Sequence, residues 1–136
     1  MAATYNNLYL DARKRLREAG LEGAQLEARE LVCCAAGKSR EQFYRDMALY
    51  ASDPVEEKLA ELLERRLAGE PVAYLIGEWE FYGLGLDITP DVLIPRMDTE
   101  VLAERAILLA RAAGEGARVL DLCAGSGCVG LAVAAN

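Results

Sequence analysis

The segment Asp121-Leu-Cys-Ala-Gly-Ser-Gly127 holds the residue types with the clearest chemical use. An acid interrupts a short apolar run (Val119, Leu120, Leu122), small residues come next, and the chain resumes as an apolar stretch through Ala135. This order predicts a buried strand, a glycine turn and a helix. Backbone N–H groups and a helix N-terminus then converge on one point, which suits an anionic or polar ligand group. Gly125 and Gly127 leave the backbone open to close approach, and Asp121 either orients the turn and a ligand or simply caps the turn after it.

Three readings of the turn stay open at this level. Gly125-Ser-Gly-Cys-Val-Gly130 fits the G-x-G-x-x-G dinucleotide fingerprint. Asp121 to Gly127 also resembles the D-x-G-x-G-x-G loop of S-adenosylmethionine (SAM) methyltransferases, with Cys123 at the usual first glycine. The third reading is a purely structural turn. The acid that would hold the cofactor's ribose hydroxyls is expected about 20 residues further on, past Asn136.

Positioning this turn falls to the elements upstream of it. Over residues 1–68, Leu8, Ala12, Leu16 and Ala19 recur at helical spacing up to Gly20, and Leu26, Glu30, Leu31 and Ala35 do so up to Gly37. Ser39-Arg-Glu-Gln42 is a capping box opening a short helix with Phe43 and Met47. Asp53-Pro54 reads as an N-cap and first helical proline, with Glu56 closing the box and Leu59, Leu62, Leu63 and Leu67 facing inward. Such short-linked helices predict an antiparallel bundle. From Pro71 to Pro95 the period shortens: Val72–Ile76, Glu78–Tyr82 and Leu84–Ile88 predict a β-hairpin or short meander. Asp98-Thr99 then caps a helix through Val101, Leu102, Leu108, Leu109 and Ala112 to Gly114. Helix, strand, glycine turn, helix is the entry to a doubly wound α/β sheet.

Composition bounds the alternatives. With 136 residues, 53% hydrophobic and 27% charged, the chain is long enough for one domain and part of another. Residues 1–68 carry a net charge of −1 and residues 69–136 one of −6, so the second half disfavours direct nucleic-acid binding. No apolar run approaches the roughly 20 residues of a membrane span, and the start lacks a secretory pattern. A cytoplasmic protein is expected. Cys33, Cys34, Cys123 and Cys128 form no C-x-x-C and the chain has no His, so no metal site is expected and the cysteines read as free thiols.

Three ordered motifs carry a closer resemblance: Gly69-Glu-Pro-Val-Ala-Tyr-Leu-Ile-Gly-Glu-Trp-Glu-Phe-Tyr-Gly83, Leu93-Ile-Pro-Arg-Met-Asp-Thr-Glu100, and Val119 to Cys128. In types and spacing the chain resembles the release-factor glutamine methyltransferases, the HemK/PrmC family. The resemblance implies an all-α substrate-recognition domain (1–69), a β-hairpin linker (70–95) and the start of a Rossmann-like SAM methyltransferase domain (96–136). It implies SAM as cofactor and class 1 peptide-chain release factors as partners, methylated on the Gln amide of Gly-Gly-Gln. Asp121, Cys123, Ala124, Gly125, Ser126 and Gly127 are the implied cofactor-binding residues. Arg96 would form a carboxylate fork, to the cofactor's methionine end or to Glu100, and Thr99 serves as a ligand contact or a helix cap. Trp79, Phe81 and Tyr82 serve hairpin packing or a substrate cage.

Two departures are local: Met97 replaces a usual proline, and Ala124 stands where threonine is frequent. The family's Asn-Pro-Pro-Tyr motif, which holds the target amide, is absent from residues 1–136, so no catalytic residue is expected here and the chain alone is expected to be inactive. The other function classes are a related methyltransferase acting on another protein amide or a nucleic-acid amino group, and a non-catalytic helical recognition module.

Overall fold

The computed structural model describes residues 2–136, which divide into two compact units meeting at Ile76 and Gly77. The first unit is helical: α1 (Tyr5–Glu18), α2 (Ala24–Ala36), α3 (Arg40–Asp46), α4 (Asp53–Leu67) and α5 (Val72–Ile76). Its core gathers Ala12, Leu16, Ala28, Leu31, Val32, Phe43, Leu59, Leu62 and Leu63. Helix α2 lies at the centre, packed against α1, α3, α4 and α5. The small residues Ala24 and Ala28 face inward, while Leu26, expected on the apolar side, is exposed. Close approach on several sides selects alanine over leucine there.

Helix α1 illustrates how a helix end is satisfied in this unit. The Tyr5 and Asn6 N–H groups donate to the carbonyls of Leu49 and Met47, both at 3.0 Å, and Asn7 donates to Thr4 Oγ1 at 3.2 Å. Three of the four N–H groups that a helix leaves without internal partners are thereby bonded. Ala51 N–H donates to Ala3 O at 2.8 Å, so the start of the chain lies against the α3–α4 connection. The Ser39–Gln42 capping box is present in both directions, at 3.2 and 2.9 Å. At α4 the expectation is corrected. Ser52, not Asp53, is the N-cap, and no side chain caps it. Glu56 closes no box because its carboxylate accepts the Ala3 N–H at 3.0 Å.

Charged groups fasten the helices at their margins. Arg66 of α4 donates two hydrogen bonds to the Glu27 carboxylate of α2, at 2.8 and 3.1 Å, a largely buried fork. Asp46, buried at the end of α3, accepts from Arg45 at 2.8 Å and from Lys38 at 2.7 Å. These donors hold its carboxyl well below the usual aspartate range. Burial pushes the Cys33 thiol up, away from the reactive thiolate.

Val72–Ile76, read as extended from its β-formers, is helical instead. Pro71 supplies a first-turn carbonyl for Tyr74 and Leu75, and Val72 and Ala73 are buried as α5 packs on α2 and α4. Burial against two helices outweighs the weak strand preference of a five-residue run.

The second unit holds one antiparallel pair, β1 (Glu78–Phe81) and β2 (Leu84–Asp87), then α6 (Thr99–Ala113) and α7 (Cys128–Ala135). Phe81, Ala103, Cys128 and Ala132 form its closed core. In α6, Ala103 and Ile107 are buried, whereas Val101, Leu102, Leu108 and Leu109 are exposed. This helix is apolar on more than one side, and the contacts with α7 use only one of them. The strand expected at Val119–Leu122 is likewise not formed. Val119, Leu120 and Leu122 are 57%, 86% and 79% exposed, and the described residues offer no strand beside them. Without a neighbour to take its N–H and C=O groups, an extended segment is not a strand. The doubly wound sheet therefore stands as an expectation only.

Two measurements check this account of the first unit. A fragment of residues 1–76 should unfold cooperatively by circular dichroism, and truncation to 1–69 should cost about 2–4 kcal/mol through lost burial of Val72, Ala73 and Leu75. Asp46 contributes stability that is fully present above pH about 4, the unfolded carboxyl's range, and is lost as pH falls through its depressed folded value. Urea titrations from pH 7 to 2 should accordingly show a shallower acid loss in Asp46→Asn than in the parent.

Candidate functional site

The glycine segment is built around the start of α7. Gly127 is the N-cap with φ +78°, and Gly125 has φ +59°, both in the left-handed region that glycine enters freely. The turn closes by Gly127 N–H donating to Ala124 O at 2.9 Å. Ser126 Oγ accepts the Cys128 N–H at 3.4 Å, and Gly127 O accepts from Leu131 at 2.8 Å, starting the helix. Among the described residues no acceptor meets the Val129 N–H, which faces the turn from the helix's first residues.

Asp121 returns across this turn. Its Oδ2 accepts the Gly130 N–H at 3.1 Å, a charge-assisted bond to the third residue of α7 at the positive end of the helix. The third glycine of the fingerprint explains the reach. A Cβ on Gly130 would stand 3.0 Å from that carboxylate oxygen, so any side chain there would crowd the acid. The sequence left Asp121 as either an orienting acid or a cap for the turn; it did not reveal Gly130 as the group it holds. The signal was the third glycine itself, which serves close packing rather than a turn.

Cys123 carries backbone strain, with φ +58° and an exposed side chain. A side chain in this conformation costs about 1–2 kcal/mol relative to glycine. Ala124 and Gly125 are exposed, and a Cβ on Gly125 would meet nothing within 4 Å. The loop is thus exposed over 123–125 and anchored at 121 and 126–130.

Arg96 and Thr99 occupy one tight turn, where Thr99 N–H donates to Arg96 O at 3.1 Å. Thr99 is the first residue of α6; Asp98 is the N-cap and makes no side-chain cap bond. Arg96 is exposed and forms no ion pair with Glu100. Among the described residues no hydrogen bond or ion pair links Arg96 or Thr99 to the 121–127 loop. Glu100, expected as a possible partner for Arg96, instead accepts the Tyr82 N–H at 2.8 Å. Phe81 and Tyr82 pack into or against the core shared with Cys128 and Ala132, while Trp79 is half-buried on β1. The Glu100–Tyr82 contact was not legible from the sequence, since its donor is a backbone N–H. Among the described residues no three Cys, Asp or Glu side chains gather as metal ligands, and no helix is long and apolar enough to cross a membrane.

Comparison with known proteins adds a second line. The model of a family described as the PrmC N-terminal domain matches residues 7–77. Curated relatives named release factor glutamine methyltransferase include one from Haemophilus influenzae, 42% identical over 119 residues, which are 85% of this chain and 41% of that protein. Another, from Vibrio cholerae, is 38% identical over 136 residues, which are 100% of this chain and 47% of the relative. A third, from Bordetella pertussis, is 47% identical over 116 residues, 81% of this chain and 40% of the relative. The chain thus spans less than half the length of these relatives.

The strain at Cys123 is directly testable, since the single tryptophan, Trp79, reports the second unit alone. In urea titrations followed by its fluorescence, Cys123→Gly should be neutral or stabilising by up to about 1 kcal/mol. Cys123→Val, β-branched in the left-handed region, should destabilise that unit by about 1 kcal/mol or more.

Proposed function

The chain belongs to the PrmC N-terminal domain family, and from that premise we propose that it serves SAM-dependent methylation of a protein glutamine amide. The substrate we assign is the Gln of the Gly-Gly-Gln tripeptide in class 1 peptide-chain release factors. The observation carrying this reading is the coincidence of family membership with an acid-anchored glycine turn at the start of α7. In this assignment the recognition unit, expected to end at residue 69, runs on through α5 to Ile76, the hairpin linker follows, and residues 96–136 open the methyltransferase domain.

The residues present fit the cofactor. The exposed run Cys123, Ala124 and Gly125, with no Cβ at Gly125 or Gly127, leaves room for a ligand to lie against the loop. Asp121, Cys123, Ala124, Gly125, Ser126 and Gly127 are the groups that would hold it, with Arg96 and Thr99 as outlying candidates. Bound SAM would supply an electrophilic methyl group on a sulfonium centre. Asp121, fixed by the Gly130 N–H, holds the loop's shape and keeps negative charge beside the N–H groups of α7. Ser126 Oγ fixes the first helical N–H.

The substrate side sets a separate demand. An amide nitrogen is a poor nucleophile because its lone pair is delocalised into the carbonyl, so transfer depends on alignment and on acceptors for its N–H groups. Residues 1–136 contain no Asn-Pro-Pro-Tyr to provide them, so we assign no catalytic residue here and no activity to these residues by themselves. The helical unit would contribute protein recognition, and Tyr44, Leu49 and Tyr50 are exposed apolar side chains available for it.

A hybrid tests the assignment. Residues 1–136 should replace the matching segment of the Haemophilus influenzae relative, and the product should be assayed with labelled SAM and a release factor. The hybrid should methylate the Gly-Gly-Gln glutamine, and residues 1–136 alone should not. Gly125→Val or Gly127→Val should raise the KM for SAM about tenfold or more, as expected for strain of 1–2 kcal/mol at a left-handed position. Cys123→Gly should leave it unchanged or lower. A folded but inactive hybrid, or equal KM values for all three variants, would overturn the reading.

A further inference from the structure

The three motifs singled out in the sequence meet through two contacts that involve no ligand. Residues Tyr82 and Gly83 form the two-residue turn between β1 and β2, with φ values of +48° and +76°. Positive φ at both positions is the type I′ geometry that suits the twist of a hairpin, and Gly83 meets it at no cost. Tyr82 does not, and is one of two non-glycine residues with positive φ among those described. Its N–H also lies outside the strand ladder, which closes at Phe81 and Leu84. That donor goes to Glu100 Oε1 at 2.8 Å, from the first turn of α6.

The residue preceding this strained turn is Phe81, 1% exposed, packed with Ala103 of α6 and with Cys128 and Ala132 of α7. Cys128 and Ala132 lie one turn apart on the same side of α7. The seat of Phe81 therefore sets where α7 begins, and so where the Asp121-anchored loop stands.

We propose that Glu100 is a positioning residue for the 121–127 loop. By holding the Tyr82 N–H, it fixes a left-handed turn that seats Phe81 between α6 and α7, and the seated ring fixes the start of α7. The role assigned to the loop rests on the proposed methyltransferase function; the mechanical coupling does not.

Cysteine protection provides the test, because Cys128 lies in the Phe81 core and Cys33 is buried in the other unit. Alkylation of the 136-residue chain, mapped by mass spectrometry, should show Cys128 labelled about tenfold faster in Glu100→Ala, with Cys33 unchanged, as for local opening of one cooperative unit. Glu100→Gln retains an accepting oxygen and should restore protection. Tyr82→Gly relieves the strain that Glu100 offsets, so the Tyr82→Gly/Glu100→Ala double variant should also recover it.

In the hybrid enzyme, Glu100→Ala should raise the KM for SAM several-fold while the KM for the release factor stays put. Unchanged Cys128 protection in Glu100→Ala, or failure of both rescues, would overturn the coupling. An active hybrid whose KM for SAM ignores Glu100→Ala would overturn the positioning role and leave the proposed function standing. An inactive hybrid would reject that function while the alkylation result still decided the coupling.

Discussion

Phe81 is the largest enclosed side chain among the described residues of the second unit and clusters with Ala103, Cys128 and Ala132, while Ile88 and Ile107 are buried as well. Small residues on two helices around a single ring place most of that cluster's apolar burial in one group. Burial of a phenyl ring is worth about 2–3 kcal/mol, and none of its three small neighbours can replace it. The glycine turn adds little apolar burial of its own. Its geometry is inherited from the helix it opens, and the helix inherits its place from the ring.

The two units solve the same problem with different resources. The helical unit has a broad core of many mid-sized side chains, a central helix contacted on several sides, and charged forks such as Arg66–Glu27 at the seams. Loss of one member leaves the others in contact. In the second unit, α6 and the 119–122 segment keep apolar side chains in water, with Leu120 86% exposed.

Legibility from sequence tracks the range of the interactions involved. The Ser39–Gln42 box, the Gly37 and Gly127 caps and the glycine turn are decided within a few residues, and all are where local chemistry put them. The errors are long-range. Glu56 was expected to serve its own helix and instead serves Ala3, fifty-three positions away. Val72–Ile76 has strand formers, but its environment is two helices. Val119–Leu122 carries a strand's composition, yet a strand also needs a neighbour, and composition cannot supply one. In the candidate site, the turn was legible from its glycines. The Asp121–Gly130 bond and the Glu100–Tyr82 clasp were not, because each is defined by a backbone N–H that any residue type would provide.

The pairing of α1 with residues 47–51 has a bearing on the order in which the chain folds. The first two N–H groups of α1 are answered by carbonyls more than forty positions later, at Met47 and Leu49, and the Ala3 N–H waits for Glu56. During synthesis at roughly 5–20 residues per second, α1 emerges whole seconds before those acceptors exist, with Thr4 alone to cap it. It must persist as a marginal, fraying helix until α3 and the start of α4 clear the exit tunnel, since an isolated helix of this length is barely stable in water. Docking residues 3–6 onto that later segment supplies these bonds, whereas the packing of α1 on α2 joins neighbours in sequence.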